Sequence, residues 1–490
     1  MTTPLLRSAV FSGAVLLLGT ALQAQTTTTS VSLPPPPEGQ VHDWQTGADK
    51  SYVIPAYEVP GFLLGLNLVD RVTIPHDVYD STLSSTWTHV HEQHWVFDTD
   101  PFNVNQFAHP YQGSMMFGFA RSTGVSFWQA LIYSNVGSFI WKMAGETDLP
   151  SINDQITTGT AGALLGESLF RMANLLLEHG GEHPGFWTEL GAAIISPPTG
   201  FNRLVFGNRF KTVFPSYDPA LFSRFRLGAS FDANVTKQGI SHPSIKQEAI
   251  ADFSLAYGLP GKPGYEYNRP FDYFNFEFAG QTSAHAHNYI QDVMIRGLLY
   301  GKSFAIGDNY RGISGLYGSY DYISPNIFRV SSTAVSYGTT AQWWLSRWVA
   351  LQGTALGGVG FGAAGTTPTT EGQRNYHFGA TPQALLALRT IFGKRVMLDM
   401  TLRDYYVSGQ GSDDRNGSEE IFRGDMGVTF RVFAHHAVGI EYLESNRSAH
   451  YGRSPVQNQS EGTFSIVYTF LGSTGFGPVE WRKNGGAKAD

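Results

Sequence analysis

The sequence predicts an α+β fold: a transmembrane antiparallel β-barrel of about twelve strands, with an N-terminal α-helical domain packed at or in its periplasmic mouth. Three observations carry this expectation. Apolar and polar residues alternate along the last half of the chain, tight and long links alternate between those stretches, and the preceding region has a helical period with many small residues. In one stretch Phe274, Phe276 and Phe278 alternate with Asn275 and Glu277; in another Phe464, Ile466, Tyr468 and Phe470 alternate with Ser465 and Thr469. Successive side chains of a strand point to opposite faces, so each stretch has one face for lipid and one for water.

Composition agrees. Only 15 % of the 490 residues are charged, 14 % are aromatic, and 55 are glycine. A soluble domain carries about 25 % charge. The net charge of −7 provides no basic footprint, which argues against a nucleic-acid partner. The chain has no Cys, which excludes disulfides, thiolate metal sites and a lipid anchor on an N-terminal Cys.

Taken in order, the chain opens with Arg7, an apolar stretch at 9–22, and Leu22-Gln23-Ala24. This is the pattern of a signal peptide (1–24) cleaved after Ala24; together with the barrel pattern it places the protein in a Gram-negative-type outer membrane. Residues 25–50, with four consecutive Thr and Pro34 to Pro37, form a disordered linker, because such a composition buries no core.

A helical domain is expected over 51–210. One helix is placed at 126–146, where Ser126, Ala130, Ser134 and Ser138 fall four apart on one side. A second is placed at 151–179. Ser151 with Asp154 resembles a capping box, Gly162 and Gly166 are spaced for close helix contact, and Glu167 and Arg171 pair at i,i+4. A third covers 185–195 and stops at Pro197-Pro198.

The barrel is expected over 211–471. Strands are placed near 224–236, 247–258, 271–283, 289–300, 375–391, 395–408, 420–433, 436–446 and 462–471, with the Gly-rich segment 311–362 supplying the others. Tight links at Leu345-Ser346-Arg347, Phe392-Gly393-Lys394 and Phe433-Ala434-His435-His436 alternate with long polar ones at 365–374, 409–419 and 451–461. Parity assigns Asp292, Arg296, Arg389, Asp399, Arg403, Arg423, Asp425, Arg431 and Glu441 to the lumen, since Arg or Lys on the lipid face costs roughly 2–4 kcal/mol at the midplane. Both signs alternate among them, which fits a salt-bridge lattice better than a charge-selective pore. The strand ending at Phe470 resembles the terminal strand that the barrel-assembly machinery recognises. It departs from that pattern in being followed by 472–490, a periplasmic tail.

Motifs in the helical region carry a resemblance. They include Ile54-Pro55-Ala56-Tyr57-Glu58, Asp98, Asp100, Asn103, Asn105, His109-Pro110, Gly113-Ser114, Arg121, Gly124, Ser126, Trp141, Glu146, Pro150-Ser151, Asp154, Gly162, Gly166-Glu167 and Gly200-Phe201-Asn202-Arg203. Together they resemble the DUF3943 family, a bacterial exported domain of unknown function, over about 52–210. Lys142 stands where the resemblance implies an acidic residue. The resemblance implies no activity and no cofactor.

The polar groups with chemistry to offer are His109, Ser114, Arg121, Glu146, Asp154 and Glu167, all set among apolar or glycine neighbours. One arrangement is a catalytic site at the barrel mouth, with His109 as base, Ser114 as nucleophile and Arg121 holding a lipid phosphate or an oxyanion. The other is a single buried network in which these groups satisfy one another. The run His89-Val90-His91-Glu92-Gln93-His94 raises a metal reading: on a strand, 89 and 91 share a face and 94 does not, and Asp98 lies downstream. The spacing matches no dedicated site, and no metal is assigned. Two functions follow. One is an outer-membrane barrel with a helical plug and a structural, binding or transport role, partnered by outer-membrane lipids. The alternative is an outer-membrane enzyme acting on envelope lipid or another amphiphile. An active site needs these groups in one water-accessible pocket, whereas a plug buries them as pairs.

Overall fold

A computed structural model of the protein describes residues 41–476, apart from 75–76, 93, 99, 182, 238–239, 243–246, 283–288, 326, 367–374, 410–416 and 452–455. The expected signal peptide, most of the linker and most of the tail lie outside the described residues, as do the centres of the three long links. The chain forms two compact units. One comprises residues up to Val96 together with Gln112–Ser216, and the other Phe97–Tyr111 together with everything from Tyr217.

The second unit is a closed antiparallel barrel of twelve strands: β1 Leu221–Lys237, β2 Gln247–Tyr257, β3 Phe274–Thr282, β4 Ile290–Ile306, β5 Tyr310–Ile323, β6 Phe328–Trp344, β7 Val349–Thr366, β8 Tyr376–Phe392, β9 Val396–Ser408, β10 Gly417–Phe433, β11 His436–Tyr451 and β12 Gln457–Leu471. Each strand pairs with its sequence neighbours, and β12 pairs with β1 from Arg224↔Leu471 upward, which closes the wall. The short strand Ile240–His242 adds to β1 outside this ring. The Gly-rich segment resolves into β5, β6 and β7, the three strands needed for an even count. No described helix is long and apolar enough to cross a membrane.

Face assignment is fixed by contacts between strands that are not neighbours. Arg224 on β1 bonds Asp399 on β9 at 2.9 Å, and Arg423 on β10 bonds Asp292 on β4 at 2.5 Å. Such pairs meet only across the lumen. The opposite parity faces outward and is apolar and exposed over much of the wall, including Leu398, Val428, Phe430, Ile440 and Ile466. At the short-turn end Trp348, Phe433 and Phe470 are exposed, where an aromatic girdle belongs.

One link breaks the alternation of short and long. Residues 258–273 join β2 to β3 at the short-turn end, where a tight turn is expected, and they fold into the barrel instead. Leu259 and Tyr273 pack with Phe222, Trp344, Met397 and Phe476 in an apolar layer. Gly261 sits at φ +108°, and a Cβ there would lie 2.6 Å from the Trp344 ring, so the link needs glycine at this position. A second apolar cluster, with Ile323, Phe328, Tyr405, Val407 and Ile421, lines the β4–β10 side of the long-link end. The lumen is therefore largely filled: an apolar layer at the short-turn end, ion pairs at mid-height, and at the long-link end apolar side chains beside the buried Arg447–Glu419 pair.

The outer wall is not uniform. Residues Phe97–Tyr111 belong to the barrel unit and lie against outward-facing side chains of β5–β8. Phe97 stacks with Phe361 and Phe378, Phe102 meets Tyr322 and Tyr376, and the Arg329 guanidinium sits 5.3 Å from the Phe102 ring centre. The Tyr376 hydroxyl donates to Asp100 O at 2.5 Å and accepts from Asn105 Nδ2 at 2.9 Å, and the Tyr320 hydroxyl donates to Gln106 O. These outward polar groups would be costly against hydrocarbon, and here they have protein partners. Phe274 and Phe276 also have outward parity yet are buried, Phe274 beneath Tyr257 and Phe271.

The first unit is helical: α1 Val53–Thr73, α2 Leu83–Glu92, the greater part of α3 His109–Ser122, α4 Phe127–Ala144, α5 Gly162–His179, α6 Phe186–Ile195 and α7 Pro197–Val205. The capping box belongs to Ser126 and Gln129 at the start of α4. The expected box at Ser151 is not formed. Ser151 bonds the Asp154 carboxylate rather than a backbone N–H, and the expected 151–179 helix is interrupted by π-helical turns over Gln155–Ala161. Pro197 ends α6 as expected but also begins α7, since proline is well suited to a first turn. Small residues bring α3 and α4 against the π-helical segment. A Cβ on Gly113 would lie 1.7 Å from Thr158 O, and Ser134 Oγ donates toward Gly159 O at 3.0 Å.

Candidate functional sites: two buried ion networks and a charged lumen

Within the helical unit the polar residues sort into two sets rather than the single cluster expected. The first is built on α3 and α5. Glu167 is fully buried and receives Arg121 in a two-pronged contact, Nε to Oε2 at 2.6 Å and Nη2 to Oε1 at 3.0 Å. Arg171, one turn further along α5, adds Nε to Oε1 at 2.8 Å. Arg121 also donates to Val125 O at 2.7 Å and lies 4.6 Å from the Phe170 ring centre, while Arg171 lies 4.5 Å from that of Phe214. Burial alone would raise the Glu167 pKa; the two guanidinium groups outweigh it and hold the carboxyl below its ordinary value. The Glu167–Arg171 pair is thus a core element, not the exposed i,i+4 pair its spacing suggests.

The second set is centred on Lys142. Its Nζ lies 2.6 Å from Glu146 Oε2 and 2.6 Å from Asp154 Oδ2. Trp141 Nε1 donates to Glu146 Oε1 at 2.5 Å, Asn153 Nδ2 donates to Asp154 Oδ1 at 2.7 Å, and Ser151 Oγ donates to Asp154. Lys142 stood out in the sequence only as a departure from the family pattern. A lysine followed by an acid one turn on is a weak signal, and nothing in the sequence shows that Asp154 closes the set.

His109 and Ser114 are both buried on α3. Five residues of helix rotate them roughly 140° apart, so they do not converge as base and nucleophile. His89 and His91 lie on α2, not on a strand, and two residues of helix point them to different sides. His89 is buried with its ring nitrogens at Met143 O and Thr147 O, and exposed His91 stacks on Trp87.

Two acids of the helical unit have displaced pKa values. Burial pushes Glu58 up to about 7, against a weaker lowering by Asn202. Burial and the nearby charge of Glu146 push Asp70 up to about 7.

The lumen holds the third assembly. Arg403 spans Glu277 at 3.0 Å and Asp425 at 3.3 Å, Arg389 bonds Asp399 at 2.6 Å, and Arg226 joins Asp252 to Glu441. Arg296 reaches Asp321 at 3.6 Å, and the Tyr405 hydroxyl bonds Asp321 at 3.0 Å. Arg431 has inward parity but lies at the short-turn rim, bonding Lys394 O and Ala434 O. Glu277, read from sequence on the water-facing side of its strand, joins the lattice with Arg224 and Asp252, which were not singled out as lumen groups. Continuing the parity rule into β1 and β2 finds these two.

Residues 94–198 match DUF3943, described as a domain of unknown function, so the chain carries a DUF3943 domain ahead of a closed twelve-strand barrel. The match is narrower than the 52–210 marked by the motifs. No curated protein matches the chain. Among solved structures it is similar to the COG4313 outer membrane channel from Pseudomonas putida F1, at 10% identity and a TM-score of 0.28 over 53% of this chain and 97% of that one. It is also similar to the NanC porin, at 10% identity and TM-score 0.26 over 51% and 98%, and to the outer membrane channel DcaP of Acinetobacter baumannii, at 7% and 0.25 over 51% and 96%. At such scores the likeness adds nothing to the topology described above.

Proposed function

We propose that this protein is an outer-membrane barrel with a sealed lumen, serving a structural or binding role in the envelope rather than acting as an open pore. The observation that carries this reading is the layer of ion pairs crossing the lumen, Arg224–Asp399, Arg403–Glu277 and Arg423–Asp292, above the apolar layer of the short-turn end. A general porin keeps an aqueous channel at this level. Within the barrel unit, the plugging role falls to the link 258–273 and the inward side chains. The helical DUF3943 domain is the unit's companion in that envelope role. Its candidate catalytic groups Arg121, Glu146, Asp154 and Glu167 are buried as ion pairs, the arrangement expected of structural groups. Export by a signal peptide cleaved after Ala24, and insertion by the barrel-assembly machinery acting on the strand that ends at Phe470, complete the reading.

The test combines fractionation with solute entry. The protein is expected in the outer-membrane fraction, with gel mobility that changes on heating, and proteoliposomes containing it should not swell in small sugars. Recovery as a soluble protein without a mobility shift sinks the location; rapid swelling sinks the sealed lumen.

A further inference from the structure

We propose that the helical unit is itself a lipid-binding domain, in which the exposed face shared by α1 and α4 lies against bilayer hydrocarbon. This rests on the membrane-barrel reading above. The two helices run side by side in the same direction. At the start of α1, Tyr52 O accepts from the Tyr133 hydroxyl of α4 at 2.6 Å. Near the end of α1, Asn67 Nδ2 donates to Gly145 O, just beyond α4, at 2.8 Å. At a rise of 1.5 Å per residue they present a surface about 20 Å long.

α1 is apolar on both sides. Val59 and Leu63 are buried with Met116 and Trp141. Turned the other way are Val53, Tyr57, Leu64 and Leu68, with Tyr57 77% and Leu64 62% exposed. α4 repeats the arrangement. Trp128, Ile132, Val136 and Phe139 fall on one side of the helix and are all exposed, Ile132 at 61%. Every exposed position of α1 from Val53 to Val69, and every exposed position of α4, is apolar, glycine or tyrosine, and exposed charge returns at Arg71. Half-buried Glu58 is turned inward, where Asn202 Nδ2 donates to it at 3.4 Å. A helix that is apolar all round belongs in a buried setting, and soluble monomers rarely leave so continuous a patch open.

Lipid is the occupant that the chemistry selects. Interfaces between proteins carry about one hydrogen bond per 100–200 Å², and the exposed side chains of this face offer only the Tyr57 hydroxyl and the Trp128 indole. Both stand at the same end of the face, and amphipathic rings of this kind are enriched where a membrane meets water. The linker at 25–40 is a poor cover, with Val31 and Leu33 its only large apolar side chains. Chain connectivity supplies an independent argument. Two of the three connections between the units, at Val96 and Gln112, flank the segment that lies against the outward side of β5–β8. Both connections therefore leave from the side of the barrel that faces lipid.

The test uses Leu64→Cys, Ile132→Cys and Phe139→Cys in the full-length protein, which has no cysteine of its own. Each is labelled with an environment-sensitive fluorophore and reconstituted in phosphatidylethanolamine–phosphatidylglycerol vesicles, with or without a nitroxide on the acyl chains. Leu398→Cys and Val428→Cys on the barrel wall are the positive references, and His179→Cys, exposed on α5, is the negative one. All these side chains are at least partly open, so the substitutions leave the core intact, and heat-modifiable mobility with an unchanged protease pattern checks the fold of each. The three helical positions should lose fluorescence to the nitroxide lipid about as strongly as the wall positions and be protected from aqueous iodide. The label at 179 should show the reverse. Quenching of the three by iodide overturns the proposal, as does protection from both quenchers, which a protein cover or a second copy would give. Escape of the labels at 398 and 428 from the nitroxide would instead remove the barrel reading on which the proposal rests.

Discussion

Arg403 on β9 reaches across the barrel to Glu277 on β3, Nη2 to Oε2 at 3.0 Å, while its Nη1 holds Asp425 on the neighbouring strand at 3.3 Å. One guanidinium thus ties opposite walls together. Arg403→Ala leaves two carboxylates facing each other without their cation. Arg403 is buried but both carboxylates are partly exposed, so the loss should be about 1.5–3 kcal/mol, the size of hydrogen bonds to charged groups. The temperature at which the folded gel band converts to the unfolded one should drop clearly. Arg403→Lys should fall between, since an ammonium is a point charge rather than a fork.

Because the chain has no Cys, single cysteines report the wall without background. Cysteines at Leu398 and Val428 should react with lipid-phase reagents, and those at Asp399 and Arg403 should not. The opposite pattern places every strand one residue out of register.

In the helical unit, Lys142→Met removes the cation shared by Glu146 and Asp154. The loss should be about 3–5 kcal/mol, read as increased protease sensitivity of residues 51–216 with the barrel still heat-modifiable. Arg121→Lys keeps the charge beside Glu167 but loses the two-pronged contact, and should cost about 1–3 kcal/mol in the same assay.

The pH dependence of the helical unit has a definite sign. Glu58 has its folded pKa raised to about 7, above the ordinary 4.5. A carboxyl raised by folding stabilises most where it is protonated in both states, below its unfolded pKa. That contribution is lost as pH rises through about 7. Protease resistance of this unit should therefore decline between pH 4.5 and 7. Glu58→Gln should flatten the profile and add about 1–2 kcal/mol at pH 8, allowing for the partial exposure of the group. An unchanged profile in the variant would assign the dependence to Asp70, whose displacement has the same direction.

Much of the barrel was legible because a wall with lipid on one side and charge on the other writes period two into the chain. The strands at 436–446 and 462–471 were found on that basis, and the structure extends them to His436–Tyr451 and Gln457–Leu471. The Gly-rich β5–β7 were harder to delimit, since glycine on a face gives no alternation to count. The covered outer sector was not legible. Phe274 alternates like a lipid-facing residue, and only tertiary structure shows Phe271 and Tyr257 over it. The inward link 258–273 resembles any long polar loop until Leu259 and Tyr273 are seen inside. In the helical unit the residues were legible but their pairing was not. Spacing identified Glu167 with Arg171, whereas Arg121–Glu167 joins α3 to α5 and Lys142–Asp154 joins α4 to the segment just before the π-helical turns, pairings that no helical spacing marks. Four helices, α1, α2, α3 and α7, were missed; α7 follows prolines read only as a stop.

The most direct test of the sealed lumen is planar-bilayer recording of the wild-type protein, inserted at known number by fluorescence counting. With Arg224–Asp399, Arg403–Glu277 and Arg423–Asp292 crossing the lumen above an apolar layer, inserted copies should give no steady conductance above the bare bilayer. A stable ohmic step for each inserted copy would contradict the sealed lumen and return the protein to the open pores.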